Sequence, residues 1–384
     1  MKPIYLDYNA TTPHDPEVIA DMRPYLEKLF GNPSSSHWYG ELTKQAVETA
    51  REQVASLLNS LPSEIVFTSG GTESNNWAIK GIAFAHRNRG NHIITSRIEH
   101  PAVTEVCEYL KEQGYAVTYL PVDEHGMVSV DDVEKAITPQ TILITVMHAN
   151  NEVGTIQPIG KIARLAREKG VIMHTDAAQS VGKISTDVNS LGVDLLSLAG
   201  HKLYAPKGIG VLYVRQGSHL AKFMHGAGHE QGRRAGTENV LGIVGLGKAC
   251  DIAHRDLEKN GQHMKKMRER LYSGLCDRVN IVKYNGHNNQ CLPNTLNLSF
   301  HGTDATTLIS KISDQVAVSA GSACHSGECK ISPVLQAMNV PLEWARGTIR
   351  FSTGKMTTDD EIDRAVQVIS DAYQFAVKEK SCEL

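Results

Sequence analysis

The strongest constraint on this chain is an alternation that repeats between residues 15 and 255. Short apolar, β-branched runs appear at EIVFTS (64–69), HIITS (92–96), AVTYLPV (116–122), TILITVMH (141–148), VIMHTDA (171–177), DLLSLAG (194–200) and GVLYV (210–214). Stretches of helical periodicity lie between several of them, such as LTKQAVETAREQVASLLNS (42–60) and PIGKIARLAREKG (158–170). Strands alternating with helices predict an α/β architecture with a mostly parallel, seven-stranded sheet. Runs such as TILITV are apolar at every position, as expected for strands covered on both faces. Ligands of such sheets bind beyond the carboxyl ends of the strands, so the residues just after each run hold the functional information.

The pattern changes near residue 250. A long polar helical stretch follows (251–279), read as broken or bent near Gly261. TLNLSF (295–300), VAVSAGSAC (316–324), TIRFST (348–353) and a last helix, DDEIDRAVQVISDAYQFAVKE, complete a smaller α+β domain. The expected division is a large domain of residues 14–255 and a small domain formed by 1–13 with 256–384. No run is long enough to span a bilayer, and a net charge of −3 provides no basic field for nucleic acid or membrane lipid. The N-terminus, MKPIYLDYNATTP, lacks the apolar core of a signal peptide, so a cytoplasmic location is expected. Seven scattered cysteines fit a reducing compartment in which most are free and inert.

Four strand ends hold candidate chemistry. FTSGGTESNNWAIKG (67–81) passes from a strand through two glycines into a helix, including Gly71 and Thr72. A helix N-terminus there suits a phosphate; the plain alternative is a strand–helix turn with Thr72 as the cap. In HTDAAQSVG, Asp176 ends an apolar strand and could pair with a protonated ring nitrogen, or simply cap a helix. His100 follows another strand and could stack on a flat ring, move protons or just pack. Asn151, in HANNEVG, could donate to a phenolic oxygen. Lys202, in LLSLAGHKLYAPKGIG, sits where an amine would meet a ligand anchored across the sheet edge. A phosphate turn, a stacking residue, a carboxylate and a lysine, in that order, are the requirements of pyridoxal 5′-phosphate, with Lys202 as the Schiff-base amine.

The stretches YLDYNATTP, GNPSSSHWYG, FTSGGTESNN, EHPAV, NNEVGTIQPI, HTDAAQS, GHKLYAPKGIG, RRAGTEN, SAGSACHSG and IRFS run from Tyr5 to Ser352. Together they resemble the class V aminotransferase-like enzymes of pyridoxal-phosphate fold type I, and among them the cysteine desulfurases of the NifS/IscS kind. The resemblance implies that Lys202 forms the Schiff base with His201 beside it. Gly71 and Thr72 would bind the phosphate, Asp176 the pyridine nitrogen and Gln179 the phenolic oxygen. His100 would stack on the ring, and Asn151 would lie near both the phenolic oxygen and the substrate. Arg350 would clamp the substrate carboxylate with help from Asn32. Thr237, in RRAGTEN, would reach the phosphate of the other subunit, which implies a homodimer with shared active sites.

In SAGSACHSGECKISPVL, small residues surround Cys324, a setting for an accessible thiol. By resemblance Cys324 takes sulfur from L-cysteine as a persulfide, leaving L-alanine, and passes it to an acceptor protein such as an iron–sulfur scaffold. Cys324 with Cys329 supplies two ligands, too few for a zinc site, so no metal is expected. Cys329 could resolve the persulfide or be a bystander. The serine that these desulfurases place three residues before the lysine is here Ala199, leaving Ser197 or a water to substitute. Gly-His-Lys with Ala-Cys-His-Ser and Ser-Pro-Val-Leu also resembles selenocysteine lyases, which makes L-selenocysteine an alternative substrate. A non-catalytic scaffold that kept the fold is the reading from another class.

Overall fold

The computed structural model describes residues 2–279, 281–320, 322–325 and 328–382; the side chains of 322–325, 328–330 and 380–382 are outside the description. The chain starts with a short strand, β1 (Ile4–Tyr5). Seven strands then build the main sheet: β2 (Ile65–Thr68), β3 (His92–Ser96), β4 (Ala116–Leu120), β5 (Thr141–Thr145), β6 (Ile172–Asp176), β7 (Leu195–Ala199) and β8 (Gly210–Val214). Their order across the sheet is β2-β8-β7-β6-β5-β3-β4. All neighbours run parallel except at β8, which is antiparallel to both β2 and β7. Two reversals cancel, so β2 points the same way as β7 and also delivers its C-terminus to the functional edge.

Each strand is apolar on both sides because both sides are covered. Successive side chains point to opposite faces. Ile65 and Phe67, Ile94, Ile144 and Leu196 enter one core together with the helices Trp38–Leu58 and Ile159–Glu168 and the first part of Val240–Arg278. Val66, Ile93, Leu143 and Leu195 enter the other, against the helices Gly71–Ala85 and Pro101–Glu112. β4, one of the two edge strands, is exposed or half-buried over its first four residues.

The helix expected to break near Gly261 is continuous from Val240 to Arg278. Gly261 lies within it with only a backbone oxygen, at 3.5 Å, near the position of an added Cβ. The cost of a glycine in a helix, about 1 kcal/mol, is small against the packing on both halves. Its N-terminal part starts earlier than periodicity suggests because glycines let it press on its neighbours; a Cβ on Gly247 would lie 2.5 Å from that of Ala50.

The second half of this helix supports a further core with Ile4, Leu6, Leu298, Phe300, Ile349 and the C-terminal helix Asp359–Cys382. Here β9 (Val282–Tyr284) and β10 (Thr295–Phe300) precede the single run expected over 316–324, which is divided into β11 (Val316–Ala317), β12 (Ser319–Ala320) and β13 (Ser322–His325). β13 pairs with β14 (Glu328–Ile331), and β15 (Thr348–Ser352) follows. The antiparallel sheet order is β12-β15-β10-β9, while β11 pairs in parallel with β1. The N-terminal segment thus leaves this second core and enters the main sheet's open edge at Asn9 and Ala10. Among the described residues no helix is long and apolar enough to cross a membrane.

Candidate active site

The carboxyl ends of β2, β3, β5, β6 and β7 surround an open cleft of about 260 Å³. Gly71, Thr72, His100, Asn151, Asp176, Gln179, His201, Lys202 and Arg350 all line it. Nine residues distant in sequence therefore meet, because each sits just past a strand end or on β15.

The helix Gly71–Ala85 starts directly after β2. Its cap position is Gly70, at φ 151°, and no side chain caps it. Thr72 is thus inside the first turn rather than at the cap. Uncapped N–H groups and the positive dipole end face the cleft. A Cβ on Gly71 would come within 3.2 Å of Ala199 Cβ, so the glycine keeps this corner open. Ser197 does not replace the missing hydroxyl at 199. Its Oγ turns inward to His174 Nε2 at 3.0 Å, while Thr145 Oγ1 takes His174 Nδ1 at 2.8 Å.

Asp176 ends β6. Its Oδ2 accepts from Asn75 Nδ2 at 2.7 Å and its Oδ1 from Ala178 N at 2.9 Å. His100 caps the helix Pro101–Glu112, with Nδ1 accepting from Ala102 N at 3.1 Å. That bond leaves Nε2 as the only ring nitrogen able to hold a proton without losing the cap. Burial holds the His100 pKa below its ordinary value. His201 Nδ1 meets Thr11 Oγ1 at 3.2 Å, and burial followed by the Lys202 and Lys207 charges pushes its pKa down to about 4.

Lys202 follows β7 in a single 3-10 turn, Gly200–Lys202. Its Nζ donates to the main-chain oxygens of Asn9 and, at 2.7 Å, Ala10. Burial and then the Arg350 charge lower its pKa to about 8, against the attraction of Asp7 and Asp176. An amine with a pKa so close to neutrality has an appreciable unprotonated fraction, the form that attacks a carbonyl. Arg350 Nη2 reaches Asp7 Oδ1 at 2.7 Å and Ser319 Oγ at 3.0 Å, and Nη1 reaches Asn151 O at 3.2 Å.

Two expected residues are elsewhere. Asn32 is exposed, with Oδ1 accepting from Ser34 N at 2.9 Å. Thr237 lines a separate small cavity with Ser69, Glu230 and Arg234. The side chains of Cys324 and Cys329 are outside the described residues. Cys107, Cys250, Cys276 and Cys291 are free.

A model of the aminotransferase class-V family matches residues 4–365. The chain belongs to the class-V aminotransferase family. Its curated relatives include "Cysteine desulfurase IscS" of Dictyoglomus turgidum, 47% identical over 95% of this chain and 93% of the relative. The protein of the same description from Methanosarcina thermophila is 47% identical over 97% and 92%. Among solved structures, a "NifS-like protein" superposes with a TM-score of 0.92 at 39% identity, covering 98% of this chain and all of the other. A structure described as "SspA in complex with cysteine" gives 0.82 at 39% identity, covering 92% and 99%. The fold is therefore the fold type I arrangement of these pyridoxal-phosphate enzymes.

Sequence reasoning missed the residues behind this class-V site. Asn9 is 1% exposed and joins both cores to the cleft. Its carbonyl accepts from Lys202 and Gln179, its Oδ1 from Asn294 Nδ2 at 2.9 Å, and its Nδ2 donates to Thr295 Oγ1 at 2.8 Å and Asn151 O at 3.2 Å. Asn75, Glu99 and Lys183 were missed likewise. Each has a partner distant in sequence: Asp176 for Asn75, Met147 for Glu99 and Asn9 for Lys183.

Proposed function

We propose that this protein is a pyridoxal 5′-phosphate-dependent cysteine desulfurase, converting L-cysteine to L-alanine and placing the sulfur on Cys324 as a persulfide. The observation that carries this reading is the convergence of the Lys202 amine, the Asp176 carboxylate, the uncapped helix start at Gly71 and the Arg350 guanidinium on one cleft. The 47% identity to curated cysteine desulfurases supports the choice of reaction.

The cleft fits the cofactor. Arg350 Nε and Asn75 Oδ1, on two lining residues, are buried without a hydrogen-bond partner. Orphaned polar atoms of this kind are costly unless a ligand meets them or orders the groups around them. The uncapped N–H groups at Gly71 and Thr72 would hold the phosphate, with Ala199 contributing only a methyl group. Asp176, oriented by Asn75, would keep the ring nitrogen protonated. His100 would cover the ring face and Gln179 would donate to the phenolic oxygen. When bound, the cofactor supplies an electron-withdrawing ring that stabilises negative charge developing at the substrate Cα.

The protein's residues do the rest. Lys202 tethers the cofactor and, once released, holds the proton that moves at Cα. The neutral His100 imidazole can take or return a proton at Nε2. Arg350 holds the substrate carboxylate, and Asn151 lies beside it. The Cys324 thiolate attacks the substrate sulfur: the new S–S bond forms as the Cβ–S bond breaks. The electron pair stays with carbon, which gains a proton and departs as alanine.

Thr237 lines a cavity other than its own chain's cleft. This supports a homodimer in which each chain completes the other's phosphate site. The persulfide would pass to an acceptor protein, with an iron–sulfur scaffold the favoured class, in the cytoplasm. The same reading divides the chain into a large cofactor-binding domain (14–255) and a small one (1–13 with 256–384) that share the long helix. Lys202→Ala tests the assignment: the loaded wild type should absorb as a Schiff base, and the variant should lose that band and all alanine formation. A coloured, active variant would refute it.

A further inference from the structure

A second lysine stands behind the first. Lys183 is 6% exposed, and among the described residues no carboxylate pairs with it. Its Nζ has two partners, both amide oxygens: Gln179 Oε1 at 3.0 Å and Asn9 Oδ1 at 3.2 Å. An amide has a donor end and an acceptor end of nearly equal shape, so its partners decide which way it points. A protonated lysine can only donate. It therefore fixes Gln179 with Oε1 turned inward and the NH2 group turned toward the cleft. One Nε2 proton goes to Asn9 O at 3.0 Å. The other remains for the cleft that Gln179 lines. That same Asn9 oxygen accepts from Lys202 Nζ, so the amide and the Schiff-base lysine meet at one atom.

Resting on the pyridoxal-phosphate reading above, we propose that Lys183 is a positioning residue. It locks the Gln179 amide so that an N–H, and not a C=O, faces the phenolic oxygen of the cofactor beside Lys202. An N–H stabilises that oxygen as an anion. A flipped amide would present a lone pair and favour an extra proton on the Lys202 nitrogen. The lock is strictest in the charged form, which has no lone pair, and the neutral form keeps part of it. Burial, then the Lys202 and Arg350 charges, lower the Lys183 pKa to about 7, and a neutral amine still has two N–H groups for its two acceptors. The charged and titratable groups facing Lys202 itself are Arg350, Asp7, Asp176, His100 and His201, and none of them contacts the Lys183 nitrogen.

The test uses the loaded protein without substrate and reads the pH midpoint at which the Schiff-base nitrogen loses its proton, from the cofactor's absorbance. Lys183→Met removes both donors and should raise the midpoint by about one pH unit, the scale of one hydrogen bond to a charged group. In a Gln179→Ala background the same substitution should shift the midpoint much less, since the amide it acts through is gone and only the loss of the nearby Lys183 charge remains. Lys183→Arg, which keeps donors, should restore the midpoint. If Lys183→Met does not fold, Lys183→Gln serves. It is polar but one bond shorter, leaves Gln179 beyond hydrogen-bond reach, and should raise the midpoint too. An unchanged midpoint, or an equal shift with and without Gln179, would overturn the proposal. A wild type with no Schiff-base absorbance would instead refute the cofactor reading on which it rests.

Discussion

Glu99 offers a test that does not depend on turnover. It follows β3, immediately before His100, and is buried. Its carboxyl accepts from Ser96 Oγ at 2.6 Å and from Met147 N at 3.0 and 3.1 Å, tying the end of β3 to the end of β5. Burial raises its pKa from 4.5 to about 8; the hydrogen bonds from Ser96 and Met147 oppose the rise and Asp176 adds to it. The sign follows from linkage. The folded state binds this proton more tightly than the unfolded state. The neutral form's stability is fully present below pH 4.5 and is lost as pH rises toward 8. In that window the loss is about 1.4 kcal/mol per pH unit. Glu99→Gln mimics the neutral acid, keeps an oxygen for Met147 N, and cannot ionise. Urea unfolding of both proteins at pH 5, 6.5 and 8 isolates this one group, since all other titrations cancel in the difference. The variant should gain on the wild type as pH rises, by about 4 kcal/mol in total as an upper figure. Parallel stability curves would refute the account of this carboxyl.

The loop bearing Thr237 is anchored by a buried pair: Glu230 meets Arg51 at 2.8 and 2.9 Å and also accepts from Phe67 N at 2.9 Å, with both side chains 4% exposed. Glu230→Gln leaves the buried Arg51 with only the exposed Glu48, at 3.2 Å, as a counter-charge and should cost up to about 3–5 kcal/mol in denaturant unfolding, whereas a loss under 1 kcal/mol would show that the buried pair adds little. Because burial holds His100 below the ordinary histidine value of 6.5, any acid limb that His100 contributes to kcat/KM for L-cysteine should lie below about pH 6.5. An acid limb centred above pH 7 that disappears in His100→Gln would contradict this.

Much of the fold was legible because it rests on local pattern. Five-residue strands buried on both faces must be apolar throughout, and the turn into Gly71 and the lysine after β7 mark strand ends by their chemistry. The cleft itself was legible for the same reason, since a parallel sheet collects its strand ends at one edge. Other features were not legible. The antiparallel sense of β8 leaves no trace in an apolar run. The continuity of Val240–Arg278 past Gly261 is decided by two cores that the sequence does not display. Asn9 acts through contacts with Asn294, Asn151 and Lys183, which only the folded chain brings within reach.

The most direct test of the central claim is to give L-cysteine to the cofactor-loaded protein, quantify alanine, and locate bound sulfur by mass spectrometry of the intact and digested chain. The account predicts alanine in proportion to enzyme from the first turnover and one additional sulfur on Cys324. Absence of alanine, or sustained alanine formation with Cys324 unmodified, would contradict it.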